Sequence, residues 1–131
     1  MILDSSALLA IVLAEPEEAA MADLLMDAPS VRMSAMNWVE AAVVIDQRKD
    51  SVATARLEET LRVLCVEVVP VAATTAVIAR LAYQRFGRGN HKAKLNLGDT
   101  FAYALAKEAE EPLLFKGNDF TQTDIEPALK P

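Results

Sequence analysis

Four short runs, MIL (1–3), VRM (31–33), VEVVPV (66–71) and PLLF (112–115), are separated by long stretches that read as helix. That alternation constrains the fold more than any other feature. Apolar or β-branched runs bounded by helices belong inside a sheet, and strands joined through helices pair in parallel, with both sheet faces covered. The helical stretches carry their own signals. Asp4-Ser5-Ser6 offers capping residues ahead of ALLAIVLA, and Pro16 opens PEEAAMADLLM. Ser34 can cap the helix holding WVEAAVVI, SVATARLEETLRVL follows, another helix runs from about residue 74 to 86, and Asp99 starts DTFAYALAKEAEE. The 131 residues suit one domain, spanning 1–131, that buries roughly two-thirds of its unfolded surface. VEVVPV is expected as a buried strand.

Several classes drop out. ALLAIVLA resembles the apolar core of a secretory signal, but it lacks a basic flank, carries Asp4 and is too short to span a bilayer. A cytoplasmic, soluble protein is expected. The single Cys65 supports no intrachain disulfide framework, and its apolar surroundings make it a small core residue. The net charge of −6 speaks against a nucleic-acid partner, yet its distribution does not. Arg80, Arg85, Arg88, Lys92 and Lys94 hold five of the thirteen Lys and Arg, with no Asp or Glu among them. That segment is either a solvated loop or a footprint for phosphates. The only histidine, His91, lies within it and has no spaced ligand partners.

Four acids stand out by context. Asp4 follows the first strand, and Asp119 follows PLLF after the turn Lys116-Gly117-Asn118, so both reach the carboxyl edge of the sheet, where ligands bind in open α/β folds. Glu40 interrupts an apolar helix, with Met36, Asn37, Val43 and Val44 as its three- and four-residue neighbours, so its stripe is expected to face the sheet. No Lys or Arg stands at those spacings to pair with it. Asp99 shares a stripe with Ala102, Tyr103 and Ala106. Asp4 and Asp99 also read as helix caps, and Asp119 as a turn residue. If the four meet, each pair about 4 Å apart repels by roughly 4 kcal/mol at an effective dielectric of about 20, which requires protonation or a cation. Oxygen ligands without His or Cys select Mg2+ or Mn2+, and such a site suits phosphoryl chemistry.

Taken in order, Met1-Ile2-Leu3-Asp4-Ser5-Ser6-Ala7-Leu8, Asn37-Trp38-Val39-Glu40, Leu95-Asn96-Leu97-Gly98-Asp99 and Lys116-Gly117-Asn118-Asp119-Phe120 resemble the PIN-domain ribonucleases of the VapC toxin type, from bacterial toxin-antitoxin pairs. The resemblance covers nearly the whole chain. It implies a three-layer α/β/α sandwich with a parallel sheet in the order 3-2-1-4-5, and an acidic quartet of Asp4, Glu40, Asp99 and Asp119 around Mg2+ or Mn2+. Asp4 and Asp99 would be the direct ligands, with Glu40 and Asp119 bound directly or through water. Ser6 matches the small hydroxyl residue that hydrogen-bonds a carboxylate or water beside the site. The implied reaction is hydrolysis of an RNA phosphodiester, leaving a 5′ phosphate and a 3′ hydroxyl. The implied partners are a cognate antitoxin and a second copy of the chain in a homodimer; the Ala-rich helices near the termini are either contact surfaces for them or core. Arg85, Arg88 and Lys92 are the candidate RNA-binding cations.

Other readings are weaker or remain beside this one. An aspartyl-nucleophile phosphatase wants a second aspartate where Ser6 stands, a Walker loop is absent, and Gly87-Arg88-Gly89-Asn90 lacks the flanks of a dinucleotide fingerprint. A structure-specific DNA nuclease would use the same metal site. A catalytically silent PIN-like module would only bind RNA or protein.

Overall fold

A computed structural model describes residues 1–130; Pro131, the last residue of the expected domain, lies outside the described residues. Strand β1 (Ile2–Leu3) ends at Asp4, which caps helix α1 (Ser5–Val12). Helix α2 (Glu18–Asp27) leads to β2 (Arg32–Ser34), and Ser34 caps α3 (Ala35–Gln47) by accepting from the Met36 amide. Asp50 caps α4 (Ser51–Val63) through the amides of Val52 and Ala53. After β3 (Glu67–Val69) come α5 (Ala73–Phe86), α6 (Leu97–Ala109), β4 (Leu113–Leu114) and a short 3-10 turn, Phe120–Gln122.

The sheet runs β3-β2-β1-β4 with every pairing parallel. Ile2 stands opposite Arg32 on one side and Leu113 on the other, so β1 is central and its carboxyl end lies beside that of β4. The expected order 3-2-1-4-5 is therefore met for four strands and corrected for the fifth. Residues 126–128 reach β4 through two hydrogen bonds, Leu113 N to Glu126 O at 3.0 Å and Ala128 N to Leu113 O at 2.9 Å, and form a single bridge at Pro127. Pro127 has no N–H with which to extend a ladder.

Adjacent strand residues point to opposite faces. Leu3 and Leu114 pack with α1, α2, α3 and α4 through Leu8, Leu25, Ile45 and Leu57, whereas Ile2 and Leu113 pack with α5 and α6 through Ala82, Phe86, Ala102 and Leu105. Each face thus has its own core.

Burial departs from the sequence reading in four places. β3 is an edge strand, shorter than VEVVPV, with Glu67 and Val68 exposed. Cys65 is exposed; it stands just past the Leu64 C-cap of α4 with a positive φ of 49°, where the chain turns toward β3. Of the two readings of the Ala-rich helices, α1 and α6 take the core one over most of their length, while Ala19 and Ala20 of α2 are exposed. In α3 the buried stripe is Asn37, Ala41 and Ile45 at four-residue spacing, while Trp38, Val39, Val43 and Val44 are exposed. Glu40 lies at the margin of that stripe, half-buried, rather than within an apolar face.

Candidate active site at the carboxyl edge of the sheet

Asp4 is 2% exposed at the point where β1 becomes α1. Its Oδ2 accepts from the Ser6 amide at 3.0 Å and from the Ser6 hydroxyl at 2.5 Å. Oδ1 is buried and has no hydrogen-bond partner. Burial pushes the carboxyl up to about 6, the Ser6 bonds oppose that rise, and the Glu40 charge adds to it. An orphaned carboxylate oxygen in such a place costs about 1–3 kcal/mol or more. The cap explains one oxygen of Asp4 and leaves the other unexplained.

Asp99 sits in the first turn of α6, in a capping box. Its Oδ2 accepts from the Asn96 amide at 3.0 Å, while its own amide donates to Asn96 Oδ1 at 2.9 Å. Burial pushes this carboxyl up to about 7; the Asn96 amide pulls it down, and the charges of Asp4, Asp119 and Glu40 each raise it further. Asp99 therefore lies within electrostatic reach of all three other acids. Asp119 is exposed and opens the 3-10 turn without a side-chain capping bond.

Glu40 reaches the same place from α3. Its Oε1 accepts from Asn37 Nδ2 at 2.9 Å and from Ser5 Oγ at 3.1 Å. Its carboxylate lies over Gly98, where an added β-carbon would overlap it. Glycine stands before Asp99 for close approach, inside a helix, and not for backbone freedom.

The structure thus brings together the four acids named from sequence. Among the described residues no group of three or more His, Cys, Asp or Glu side chains is closed into a metal-holding cluster. Asp99 Oδ2 is turned to the Asn96 amide, and Glu40 Oε1 to Asn37 and Ser5. The residues nevertheless fit a divalent cation: the donors are hard oxygens, and a buried, partnerless Asp4 Oδ1 beside mutually repelling carboxylates is what such an ion would relieve.

Ser6 is held from the other side, since the Lys116 amide at the end of β4 donates to its Oγ at 3.0 Å. That bond directs the Ser6 proton to Asp4. The Lys116 ammonium bridges to Glu15, and to Glu17 at 3.5 Å, tying the turn after β4 to the loop before α2. Sequence reading misses Ser5, Asn37 and Lys116. Asn37 is visible in principle, three residues before Glu40 on one helix.

The basic segment is exposed throughout its charged positions. Arg85 pairs with Asp124 at 3.7 Å and lies 4.6 Å above the Phe86 ring, so it is already engaged. Arg88 and Lys92 form no ion pair among the described residues. His91 packs edge-on to Phe86 and accepts from the Ala93 amide through Nδ1, which removes it from the acidic site.

A four-stranded parallel sheet between helices, with acids at its carboxyl edge, defines a small α/β/α domain. A family model described as PIN domain matches residues 1–126. Ribonuclease VapC28 of Mycobacterium tuberculosis is 45% identical over 130 residues, covering 98% of this chain and 98% of that protein. Ribonuclease VapC of Mycolicibacterium smegmatis is 43% identical over 125 residues, covering 95% and 97%. Among solved structures, Mycobacterium tuberculosis VapC20, described as a sarcin-ricin loop cleaving toxin, superposes with a TM-score of 0.77 at 17% identity, covering 99% of this chain and 98% of that one. A toxin-antitoxin complex from Klebsiella pneumoniae gives 0.67 at 18% identity, covering 94% and 92%. The chain belongs to the PIN-domain family, in its VapC group.

Proposed function

We propose that this chain, acting as a single domain over residues 1–131, is a toxin endoribonuclease that hydrolyses RNA phosphodiester bonds with Mg2+ or Mn2+ at Asp4, Glu40, Asp99 and Asp119. The observation that carries the reading is the buried, unpartnered Oδ1 of Asp4 beside an Asp99 that feels the three other acids. Relatives named as ribonucleases at 45% and 43% identity over nearly the full chain support the activity. A bound divalent ion would neutralise phosphate charge and acidify a water. The protein's own part is placement. Asp4 and Asp99 would hold the ion, with Glu40 and Asp119 engaged directly or through water. Ser6, fixed by the Lys116 amide, locks the Asp4 rotamer so that Oδ1 stays free.

Arg88 and Lys92, with Arg85 in a lesser role, guide RNA phosphates toward this edge. The toxin works in the cytoplasm with a cognate antitoxin, a partner supported by the Klebsiella pneumoniae complex of the same fold. Among the described residues no helix is long and apolar enough to cross a membrane. A homodimer is supported by the exposed apolar side chains of α3 (Trp38, Val39, Val43), α5 (Val77, Leu81) and β3 (Val68). Light scattering on the purified chain tests it, and a monomer mass removes it.

The decisive experiment compares wild type with Asp4→Asn on single-stranded RNA and on DNA of the same sequence, with Mn2+ and with excess EDTA. RNA cleavage that needs the cation and Asp4 is expected. Cleavage persisting in EDTA, or preference for DNA, overturns the reading.

A further inference from the structure

We propose that Asn37 is a positioning residue for the acidic site: its amide latches the Glu40 carboxylate to the first turn of α6 and so sets the distance between Glu40 and Asp99. The inference rests on the functional reading above, because it assigns Asn37 a role toward the cation that the site would hold.

Asn37 is fully buried, and its Nδ2 makes two hydrogen bonds, to Glu40 Oε1 at 2.9 Å and to the Gly98 carbonyl at 3.0 Å. The first acceptor lies one turn further along α3. The second lies on α6, immediately before Asp99. An amide group has two N–H donors, and both are used. The opposite orientation of the amide would set Oδ1 against a carboxylate and a carbonyl, so the hydrogen-bond pattern fixes which way the group faces. Ser5 Oγ adds a third element to the same knot, since it donates to Glu40 Oε1 at 3.1 Å from the residue after Asp4. Two donors on Oε1 anchor that oxygen. The chain segments carrying Asp4, Glu40 and Asp99 are therefore tied at one carboxylate, which packs over a residue that must be glycine.

A purely structural explanation is poorer. Asn37 Oδ1 is buried and has no hydrogen-bond partner. A polar side chain that strands its own acceptor in the interior is a bad choice for stability, where an apolar residue of similar size would avoid the loss. The arrangement makes sense if the two donors are needed where they are. Partners that orient ligand carboxylates commonly matter about 10–100-fold in metal affinity or activity.

The test uses the full chain with Mn2+ as probe. Mn2+ dissociation constants are measured by calorimetry on folded protein for wild type, Asn37→Ala, Asn37→Leu, Glu40→Gln and each Asn37 variant combined with Glu40→Gln, with melting temperatures alongside. Asn37→Leu conserves volume and removes the orphaned acceptor, so it guards against an alanine variant that fails to fold. Expected is Mn2+ affinity about 10–100-fold weaker in each folded Asn37 variant, with kcat falling while KM for RNA holds. In the Glu40→Gln background the Asn37 changes add no further loss, because the latch acts through Glu40. Two results overturn the proposal: Mn2+ affinity within about twofold of wild type, the scatter of independent sites, or an equal additional loss in the Glu40→Gln background. Wild-type protein that binds no Mn2+ breaks the functional reading itself and takes the latch with it.

Discussion

The acidic edge and the basic segment that precedes α6 in the chain carry charge in opposite ways. Three of the four acids are wholly or partly buried, Asp4 and Asp99 at the starts of helices and Glu40 within α3, and each is fixed by at least two hydrogen bonds or a capping box. The cations of residues 80 to 94 are exposed, and Arg88, Lys92 and Lys94 stand in a loop between α5 and α6. The contrast follows from what each charge is for. A charge that must hold an ion within a fraction of an ångström needs a rigid scaffold and tolerates the cost of burial. A charge that attracts a polyanion acts over a distance of about 8 Å at physiological salt and loses its value if buried or paired.

The sharpest break of this contrast is at the acids. Asp4→Asn and Asp99→Asn should each reduce RNA cleavage by more than about 100-fold with melting temperature held or raised, because each removes a carboxylate whose ionised form burial disfavours. Activity retained in both variants would put the chemistry elsewhere. Gly98→Ala should cost nearly as much, about 10-fold or more, by pushing the Glu40 carboxylate aside. Its stability should fall by about 1–3 kcal/mol, since moving the carboxylate breaks its bonds from Ser5 and the buried Asn37. An unchanged melting temperature would show that those bonds do not hold Glu40 in place.

Next in size is the pH response. With folded-state values of about 6 for Asp4 and about 7 for Asp99 against the ordinary 3.8, the folded chain keeps protons that the unfolded chain has released. The stability contributed by these protons is full below pH 3.8 and is lost as pH rises through about 6 and 7. In EDTA, the melting temperature of wild type should therefore decline across that window more steeply than that of Asp4→Asn. Mn2+ binding at pH 6 should release protons into weakly buffered solution. Parallel slopes for wild type and variant would remove the link to Asp4.

The smallest effect belongs to the basic segment. Arg88→Ala with Lys92→Ala should lower the salt slope of RNA binding by up to about 2 if both meet phosphates, leaving kcat unchanged. Arg85→Ala should change it less, because Arg85 is engaged by Asp124. Equal effects of Arg85 and Arg88 would erase the distinction between paired and unpaired cations.

Much of the fold and of the acidic site is legible in the sequence. Capping residues Asp4 and Ser34 stand where helices begin, and the short apolar runs mark three of the strands well and the fourth in outline. The four acids are recognisable there as a set. The inward stripe expected for Glu40 is met only in part, because Val43 and Val44 face solvent. Helical spacing says which residues share a face but not which face meets the sheet. Arg85 reads like Arg88 in the sequence for the related reason that an ion pair with Asp124, 39 positions away, leaves no local signal.

By itself the sequence determined the alternation of strands and helices, the caps at Asp4 and Ser34, and the placement of Asp4, Asp99 and Asp119 at the ends of elements with Glu40 inside a helix, because these follow from local periodicity and from side chains meeting their own backbone. Only the tertiary structure decided that Asp4 keeps one oxygen without a partner, that Glu40 is held by Asn37 and Ser5 over Gly98, and that Asp99 feels all three other acids. Apart from the Asn37–Glu40 bond within α3, those are relations between residues 20 to 95 positions apart, and their energies come from burial and from Coulomb repulsion at short range, which exist only once the chain has closed.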